Sequence, residues 1–524
     1  MLPFLLLVGL ISKITAETWP LPQEIIKKSE YITLSPDFHF ITSSESLILS
    51  KALTRYNDLI TRKSTHGDLI SCSIVINNDE TSIPLEFDVN EAYIIEVTSL
   101  NQCLIKSDTV WGALRGLETF SQELERLNDK STIIHLTSIK DKPKYPHRGF
   151  MVDTSRHYLS LYMLKKSIDA MVMSKLNIFH IHLVDAESFP FESPSSPLLV
   201  NGAYTSTSIY TKNDLLLLKE YAEERGILII HEIDSPGHSA SLVHSYPEIM
   251  SKCFSKYYYN YNDFALDPTI DKTYDIIGGA LNDAADTQPF RLHLGGDEVV
   301  YGCWEQDSEL NKRMIDMNID NYDSLLGYYV SKIQNNVLKK SSNIKETTWW
   351  QDVFDAMIAA KGNEYDLNTN TTIFQVWRTG GTDIQSITDA GYKVIASPEG
   401  YWYLDRGYKW DQIYYFDPKE NLTDTQRSKL IGGEAVMFGE QVDNNNFMPK
   451  TMPLSATVAE RLWTDRDALE TDLYDGGPID HCIKDCTDKD YTQSRLKDFR
   501  CRMMSRGFNA APIWSSGPCS SEFI

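Results

Sequence analysis

The chain has 524 residues, with 50 basic and 73 acidic side chains and a formal net charge of -23 at neutral pH. A surface this acidic argues against nucleic acid as a partner, because nucleic-acid binding depends on clustered basic side chains. A hydrophobic content of 42% is enough for a large core, and the length predicts more than one domain.

The first sixteen residues are typical of a targeting segment rather than of a folded domain. Met1 to Ile11 is almost wholly apolar, and Thr15 and Ala16 supply the small side chains expected at a cleavage site. No later stretch contains the ~18 consecutive apolar residues needed to span a bilayer. The sequence therefore predicts a signal peptide over 1–16 and delivery through the secretory pathway, to a lysosome or lysosome-like granule or to the exterior.

The cysteines and two sequons agree with export. No CxxC pair occurs, and an even number of cysteines in an exported chain favours disulfides over zinc or redox chemistry. The eight cysteines are Cys72, Cys103, Cys253, Cys303, Cys482, Cys486, Cys501 and Cys519. The sequons begin at Asn370 and Asn421, which are predicted glycosylation sites.

Residues 17–140 predict a small α+β domain without an obvious catalytic set. Short strand-like runs such as Ile74–Ile76 and Ala92–Val97 accompany one helix signal. That helix is predicted from about Thr109 to Leu127, with Leu114, Leu117, Phe120 and Leu124 on one face. The two prolines of Asp141–Pro146 predict a linker to the next domain.

After residue 141 the pattern changes to short apolar runs that alternate with longer amphipathic stretches. Eight runs separated by helices predict a (β/α)₈ TIM barrel over 141–524, with a C-terminal tail tied by disulfides. The predicted strands are Gly149–Asp153, Ile178–Val184, Ile227–Ile233, Leu292–Leu294, Thr347–Trp350, Thr372–Trp377, Lys393–Ala396 and Ala435–Phe438.

Polar, acidic and aromatic side chains follow most of these strands. Enzymes with this fold collect their catalytic groups at the carboxyl ends of the strands, so these side chains are expected to meet there. In chain order they are Arg156, Asp185, Asp234, Asp297, Glu298, Trp350, Trp377, Tyr403 and Glu440.

The stretch Arg291–Glu298 carries the strongest chemical signal. Two leucines alternate with a histidine as in a short buried strand, and two glycines then allow a tight turn. Asp297 and Glu298 follow, and two adjacent carboxyl groups tend to divide so that one keeps its proton. A general acid beside a stabilising carboxylate is what cleavage of a glycosidic bond requires.

The tryptophans near the strand ends favour a sugar as substrate. Trp349, Trp350 and Trp377 together suggest a wall on which a sugar ring stacks, although a lone tryptophan more often belongs to a core. The hydroxyl groups of such a sugar are expected to be bound by Arg156, Asp405 and Glu440.

A metal-dependent amidohydrolase is the alternative. His180 and His182 lie on one face of the second predicted strand, where paired imidazoles serve either as metal ligands or as hydrogen-bonding core groups. The further ligands would be His231, His238 and Asp297. Asp185 rather than a histidine cluster follows that strand, so we expect no metal and no cofactor.

Several motifs taken together resemble one known family. They are Arg148–Tyr158, Lys175–Asp185, Asp234–His238, His293–Glu298, Trp350–Phe354, Gln375–Trp377 and Gly433–Glu440. In this order, and with the specific His-x-Gly-Gly-Asp-Glu element, they resemble the β-N-acetylhexosaminidases of glycoside hydrolase family 20, in particular the eukaryotic lysosomal type. The resemblance runs from about residue 20 to the C-terminus.

The resemblance implies a retaining, substrate-assisted mechanism in which no enzyme carboxylate attacks the anomeric carbon. The 2-acetamido oxygen of the substrate attacks instead and forms an oxazolinium ion. Glu298 would protonate the leaving oxygen, Asp297 would hold the acetamido N–H, and Tyr403 would donate to the acetamido oxygen. The resemblance further implies an acetamido box of Trp350, Trp377 and Phe438, hydroxyl binding by Arg156, Asp405 and Glu440, and support of the acid by Asp185 and His238.

Two positions depart from the family pattern. The family often has tryptophan where this chain has Phe438, which predicts a roomier pocket without an indole N–H. The family also commonly has a second aspartate after position 185, where this chain has Ala186. The support of Arg156 or of the acid is therefore expected to differ here.

Position and resemblance together predict the cysteine pairs and the assembly. The pairs are Cys72–Cys103, Cys253–Cys303 and Cys501–Cys519, with Cys482–Cys486 as a local pair. Family members of this type are commonly dimers, so a homodimer or heterodimer is expected.

The sequence thus predicts an exo-acting β-N-acetylhexosaminidase. Its expected substrates are glycoconjugates or chitin fragments that end in β-linked N-acetylglucosamine or N-acetylgalactosamine. The rival in another class is a catalytically silent sugar-binding relative such as an adhesin, against which the intact Asp297, Glu298 and Tyr403 argue.

Overall fold

The computed structural model describes residues 18–61, 66–77, 84–99, 102–253, 264–287, 290–360, 365–378, 383–465 and 489–514, with Gly517 and Cys519. The predicted signal peptide and the predicted Cys482–Cys486 pair lie outside these residues. Within the described ranges, no helix is both long and apolar enough to cross a bilayer.

A six-stranded mixed sheet and two helices form the N-terminal part of the chain. The strands are β1 (Glu24–Thr42), β2 (Leu69–Ile76), β3 (Tyr93–Ser99), β4 (Gln102–Ser107), β5 (Leu124–Arg126) and β6 (Thr132–Asp141), in the order β1-β2-β4-β3-β6-β5 with β1 also paired to β6. Helices α1 (Leu47–Thr61) and α2 (Val110–Gln122) bury Ile60, Leu117 and Phe120 in the core that they share with the sheet.

Helix α2 is shorter than the sequence predicts. Thr109 caps its start, because the Thr109 side chain accepts a hydrogen bond of 3.1 Å from the N–H of Gly112. The helix ends at Gln122 and not near Leu127, because Leu124–Arg126 pair with β6 as an antiparallel strand. Leu124 is buried in that strand, so an apolar residue at helical spacing serves a strand here.

The predicted linker at Asp141–Pro146 is packed between the sheet and the barrel. The N–H of Lys144 donates to the carbonyl of Trp463 at 2.8 Å. The Asp141 carboxylate accepts from Lys175 Nζ at 2.8 Å and from Trp463 Nε1 at 2.9 Å. These contacts join the two parts of the chain, and the division at residues 140 and 141 stays a prediction.

Eight parallel strands close into a barrel, as the sequence predicts. They are β7 (His147–Asp153), β8 (Ile178–Val184), β9 (Leu228–Ile233), β10 (Phe290–His293), β11 (Ile344–Trp350), β12 (Thr372–Val376), β13 (Lys393–Ala396) and β14 (Leu430–Met437). The closed order is β10-β11-β12-β13-β14-β7-β8-β9.

The helices of the barrel region cover the outside of the strands and the loops at their ends. They are α3 (Leu161–Met173), α4 (Lys212–Glu223), α5 (Asp271–Ala285), α6 (Tyr301–Gln306), α7 (Ser308–Asp316), α8 (Tyr322–Lys340), α9 (Gln351–Ala359), α10 (Ile384–Asp389), α11 (Trp410–Tyr415), α12 (Asp424–Arg427), α13 (Phe447–Thr451), α14 (Leu454–Trp463) and α15 (Lys489–Ser505). Short 3₁₀ turns span Pro197–Gly202, Ala240–His244, Pro247–Ile249 and Leu404–Arg406.

The last strand begins earlier than the prediction of Ala435. Gly432 and Gly433 lie inside it, and their backbones approach the neighbouring strand and loop closely. A Cβ on Gly432 would fall 1.8 Å from the carbonyl oxygen of His147, and one on Gly433 would fall 2.3 Å from the ring of Trp402. Adjacent glycines often indicate a turn, but these two lie within a strand, where close packing leaves no room for a side chain.

Phe87, from the N-terminal part of the chain, packs against the amino end of the barrel. Its ring contacts two patches of buried isoleucine and leucine side chains at the starts of the strands. The guanidinium carbon of Arg291 lies 4.3 Å from the centroid of the Phe87 ring.

Three of the predicted disulfides are confirmed. Cys72–Cys103 joins β2 to β4, Cys253–Cys303 joins the loop after β9 to α6, and Cys501–Cys519 holds the tail against α15. The Cys253–Cys303 bond closes a loop of 50 residues that contains the Asp297–Glu298 turn.

Candidate active site

Several predicted site residues form an apolar wall at the carboxyl ends of the strands. Trp350 ends β11, Trp377 follows β12, and Phe438 follows β14. The buried members of the wall are Met151, Trp350, Trp377, Tyr403 and Val436, with Phe438 half-buried against them. Tyr403 lies between two rings, 6.3 Å from the centroid of Trp377 and 5.5 Å from that of Phe438.

Two glycines shape the turn that carries the adjacent carboxyl groups. Gly295 and Gly296 have φ values of 69° and 93°, in the left-handed region that favours glycine. A Cβ on Gly295 would fall 1.9 Å from Oδ1 of Asp234. The same Asp234 oxygen accepts the N–H of Gly296 at 2.8 Å, so the turn is anchored to the loop after β9.

Asp297 and Glu298 lie in different surroundings although they are adjacent in the chain. The Asp297 side chain is 11% exposed and the Glu298 side chain 51% exposed. Oδ1 of Asp297 is buried and accepts no hydrogen bond from the described residues. Asp297 therefore presents an acceptor inside the pocket, while Glu298 stands at its rim.

The proton distribution of this pair in the protein alone differs from the sequence expectation. Burial, reinforced by Asp234, raises the pKa of Asp297 well above its ordinary value. The imidazole of His238, whose Nε2 lies 3.5 Å from Oε2 of Glu298, lowers the pKa of Glu298. The two groups divide as expected, but in the opposite sense, because Glu298 is exposed and Asp297 is not.

His238 lies between the carboxyl groups of three loops. Its Nδ1 contacts Oδ2 of Asp234 at 2.6 Å and lies 3.8 Å from Oδ1 of Asp297. Burial alone would lower the pKa of His238, but Asp185, Asp297 and Asp234 outweigh it and raise the pKa well above the ordinary value. A cationic imidazole therefore lies beside both members of the carboxyl pair.

Arg156 is held by carboxylates on three sides. Its guanidinium contacts Asp153 and Asp185 at 3.0 Å each and donates from Nε to Glu187 at 2.9 Å. The absence of a second aspartate at Ala186 is therefore offset, because the next residue supplies a carboxylate. The guanidinium carbon also lies 5.3 Å from the centroid of the Phe438 ring, so Arg156 faces the apolar wall.

The remaining predicted residues are more exposed. Asp405 is half-buried, and its Oδ1 accepts no hydrogen bond from the described part of the chain. Burial raises the pKa of Asp405. Glu440 is exposed and is one of the carboxylates that act electrostatically on Arg156. Asn370 and Asn421 lie on exposed turns, where their glycosylation stays a prediction.

Histidines and glutamates fill the barrel below the apolar wall. His182 contacts Glu232 at 2.6 Å and Asp185 at 2.8 Å through its two ring nitrogens. His180 contacts Glu434 at 2.9 Å and lies 3.1 Å from Glu232. Oε1 of Glu232 also accepts the indole N–H of Trp350 at 2.7 Å, so this network holds part of the wall.

The histidines named for the metal alternative do not gather into one group of possible ligands among the described residues. Ligand atoms of His180, Glu232 and His293 lie within 4.8 Å of one another, whereas His238 groups with Asp297 and Glu298 at the turn. Within the barrel, Glu434 and Glu232 raise the pKa of His180 to about 9, although burial alone would lower it. His231 contacts Thr287 on the outer side of its strand.

The sequence analysis assigned no role to four acidic residues of the site. Glu187 and Glu232 have no local signal, because their partners lie on other strands and loops. Asp234 does carry a sequence signal, because it follows a predicted strand and begins one of the family motifs. Asp352 follows Trp350 in another motif, and it accepts the N–H of Glu298 at 3.2 Å and the indole N–H of Trp377 at 2.8 Å.

Comparisons with known proteins agree with this geometry. Residues 145–466 match the model of the glycosyl hydrolase family 20 catalytic domain, and residues 18–123 match the model described as beta-acetyl hexosaminidase like. The chain is 34% identical to the beta-hexosaminidase subunit alpha of Mus musculus, over 99% of this chain and 98% of that protein.

A second relative and a solved structure are similar over most of their lengths. The chain is 31% identical to the beta-hexosaminidase subunit beta of Homo sapiens, over 96% of this chain and 90% of that protein. The crystal structure of a Flavobacterium johnsoniae chitobiase superimposes with a TM-score of 0.76 at 26% identity, covering 93% of this chain and 72% of that one.

Proposed function

The chain belongs to glycosyl hydrolase family 20 and is a β-N-acetylhexosaminidase, and we propose that Asp297 and Glu298 carry its substrate-assisted reaction. The observation that carries this proposal is the buried Oδ1 of Asp297, which accepts no hydrogen bond from the described residues and acts electrostatically on Tyr403 of the apolar wall. A 2-acetamido group fits such a place, since it offers one N–H donor, one carbonyl acceptor and an apolar methyl group.

Asp297 would accept the acetamido N–H and orient the acetamido oxygen towards the anomeric carbon. The positive charge that develops on the oxazolinium ring would lie against the Asp297 carboxylate in a water-poor pocket, where such a charge pair is most effective. Tyr403, buried between Trp377 and Phe438, would donate its hydroxyl to the acetamido oxygen. The rings would enclose the methyl group.

Glu298 would protonate the oxygen of the leaving group and later activate water. Its half-exposed position at the rim leaves room for a leaving group of variable size. An aglycone placed over Glu298 would remove water and raise the pKa of that carboxyl, while the acetamido N–H would lower the pKa of Asp297. Substrate itself would thus bring the pair into the proton distribution that the reaction needs.

The hydroxyl groups of the terminal sugar would be bound on the side of the pocket that faces away from Glu298. Arg156, fixed by three carboxylates, would donate to ring hydroxyls, and Asp405 and Glu440 would accept from them. Terminal N-acetylglucosamine and N-acetylgalactosamine of glycoconjugates or chitin fragments are the proposed substrates. Asp185 and His238 would hold Arg156 and the acid in place.

The proposed setting is the secretory pathway, with residence in a lysosome or a lysosome-like granule, or release from the cell. Three disulfides support an oxidising route of synthesis. A homodimer or heterodimer is proposed by analogy with the family.

One assay separates this proposal from a silent sugar-binding protein. Purified protein is incubated with chromogenic β-N-acetylglucosaminide, β-N-acetylgalactosaminide and β-glucoside that share one leaving group. Turnover of the two acetamido sugars with almost no turnover of the glucoside is expected. No turnover of any of them, with binding of N-acetylglucosamine retained, would assign the chain to the silent class. Efficient glucoside hydrolysis would refute substrate assistance.

A further inference from the structure

Glu298 adopts a backbone conformation that needs support. Its φ is 50°, in the left-handed region that non-glycine residues seldom occupy. Such conformations persist where surrounding contacts over-determine them. Gly295 and Gly296 make the preceding turn possible, but neither holds the peptide of Glu298 itself.

Asp352 supplies that support from the start of helix α9. Its Oδ1 accepts the backbone N–H of Glu298 at 3.2 Å and contacts Nη2 of Arg378 at 2.6 Å. Its Oδ2 accepts the indole N–H of Trp377 at 2.8 Å. One carboxylate therefore joins the backbone of the acid, a ring of the pocket wall and a cation at the rim.

The cation lies on the leaving-group side of the pocket. Arg378 is 39% exposed, and its guanidinium carbon lies 4.9 Å from the centroid of the Trp377 ring. It also acts electrostatically on the Glu298 carboxyl and lowers its pKa. Asp352 offsets this positive charge at the place where the acid must keep its proton.

We propose that Asp352 is a positioning residue for the general acid, holding the Glu298 peptide and neutralising Arg378 beside it. This inference rests on the proposed role of Glu298. If it holds, loss of the Asp352 carboxylate impairs proton donation more than sugar binding. The impairment then depends on how much the leaving group needs a proton, a dependence that a purely structural role does not produce.

The decisive experiment compares two substrates with one variant. Asp352→Asn is expected to lower kcat/KM for an unactivated disaccharide by ~10- to 100-fold, because small displacements of a catalytic group have effects of this size. For an aryl glycoside with a good leaving group the loss is expected to stay below about threefold, because that group departs without a proton. Equal losses on both substrates would overturn the proposal.

Two further variants distinguish an effect on the general acid from an effect on the apolar wall. Trp377→Phe removes the indole donor to Asp352 and keeps a ring, so it is expected to raise KM for both substrates alike. Asp355→Asn, a half-buried aspartate on the same helix, is the matched control and is expected to change neither parameter. A leaving-group dependence in Trp377→Phe equal to that of Asp352→Asn would place the effect in the wall.

The pH dependence gives an independent readout that does not require equal folding of the variants. The charged groups around Glu298 are His238, Arg378 and Arg156, which act on its carboxyl, Asp297, which groups with it beside His238, and Asp352, which accepts its backbone N–H. Asp352→Asn leaves Arg378 unopposed and is expected to lower the pKa of Glu298. Because Glu298 has the lower pKa of the pair in the protein alone, its pKa sets the acid limb of kcat/KM, and that limb is expected to shift to lower pH. Arg378→Met is expected to shift the acid limb to higher pH. Shifts in the same direction would contradict the proposed charge balance.

Failure of this inference is distinguishable from failure of the proposed function. The wild-type protein must first hydrolyse both substrates, and Glu298→Gln must show the larger loss on the disaccharide. If those two results hold and Asp352→Asn shows no selectivity, only the positioning role is lost. If Glu298→Gln itself shows no selectivity, the acid assignment is lost with it.

Discussion

The barrel interior and the mouth above it treat carboxylates in opposite ways. In the interior, both oxygens of Glu232 and both oxygens of Glu434 contact donors from other strands of the barrel. At the mouth, Asp297 and Asp405 each keep a buried oxygen that accepts no hydrogen bond from the described residues. The interior carboxylates are fully paired and stabilise the barrel. The carboxylates at the mouth keep acceptor oxygens that a ligand can use.

That difference has an energetic meaning. A buried carboxylate without a partner is destabilising, whereas one that is paired and hydrogen-bonded is costly mainly when a partner is removed. Changes in the interior should therefore affect stability first and activity second. Changes at the mouth should do the reverse, and some of them should stabilise the protein.

The largest effect is expected at the rim. Glu298→Gln should leave substrate binding nearly intact and lower kcat by ~10²- to 10⁴-fold for unactivated substrates, the usual contribution of general acid catalysis. The loss should shrink for aryl leaving groups that need no proton. A series of aryl glycosides with graded leaving groups measures this, and equal losses across the series would break the assignment.

In the interior, Glu434→Gln should lower the free energy of unfolding by about 3–5 kcal/mol, the usual cost of breaking a buried ion pair. Glu434 contacts His147 at 2.7 Å and His180 at 2.9 Å, and both would lose a charged partner. Urea denaturation measures the change. Activity at a temperature well below the transition should fall much less, and a large loss of kcat without loss of stability would erase the contrast.

Asp297→Asn tests both sides of the comparison at once. It should lower kcat by ~10²- to 10³-fold, as removal of one transition-state partner usually does, and a thiazoline mimic of the oxazolinium ion should lose affinity. It should also raise Tm near neutral pH. The raised folded-state pKa of Asp297 means that its ionised form costs stability above its unfolded pKa. Below that pKa the two proteins should melt alike.

Substrate should exchange the groups that set the two limbs of the pH profile. Protein alone holds a raised pKa on Asp297 and a lowered pKa on Glu298, and the reaction needs the reverse. The acid limb of kcat/KM should therefore follow Glu298, whereas in kcat the basic limb should follow Glu298. Arg378→Met, which raises the pKa of Glu298, should move the acid limb of kcat/KM and the basic limb of kcat to higher pH. Both profiles come from one set of initial rates. Movement of the same limb in both profiles would mean that substrate does not alter the pair.

The smallest effect is expected at the far edge of the sugar. Asp405 should disfavour a 6-sulfated substrate, and Asp405→Asn should raise the ratio of kcat/KM for sulfated over neutral glycoside by roughly 2- to 5-fold, since partly exposed charges interact weakly. Arg406 is 52% exposed and lies 3.7 Å from Glu399, so Arg406→Leu should change that ratio less. A wild type that prefers the sulfated glycoside would show that Arg406 sets the local potential.

The sequence by itself determined the barrel, its reaction class and the order of its site residues. Most barrel strands are short apolar runs followed by a polar or aromatic residue, and such a pattern along one segment is a local property that a sequence displays. The turn at Gly295 and Gly296 could be predicted for the same reason, because two adjacent glycines are a local signal. The end of helix α2 was not, because Leu124 satisfies both a helical face and a strand that only β6 can pair.

Tertiary structure alone decided how the charges are compensated. Glu187 replaces the carboxylate missing at Ala186, and Asp352 reaches Glu298 from the start of helix α9, so neither partnership leaves a trace in local sequence. The direction in which Asp297 and Glu298 divide their proton also depends on burial, which places one side chain under the wall and the other in solvent. Desolvation and through-space charge act between segments distant in the chain, and only the closed barrel brings those segments together.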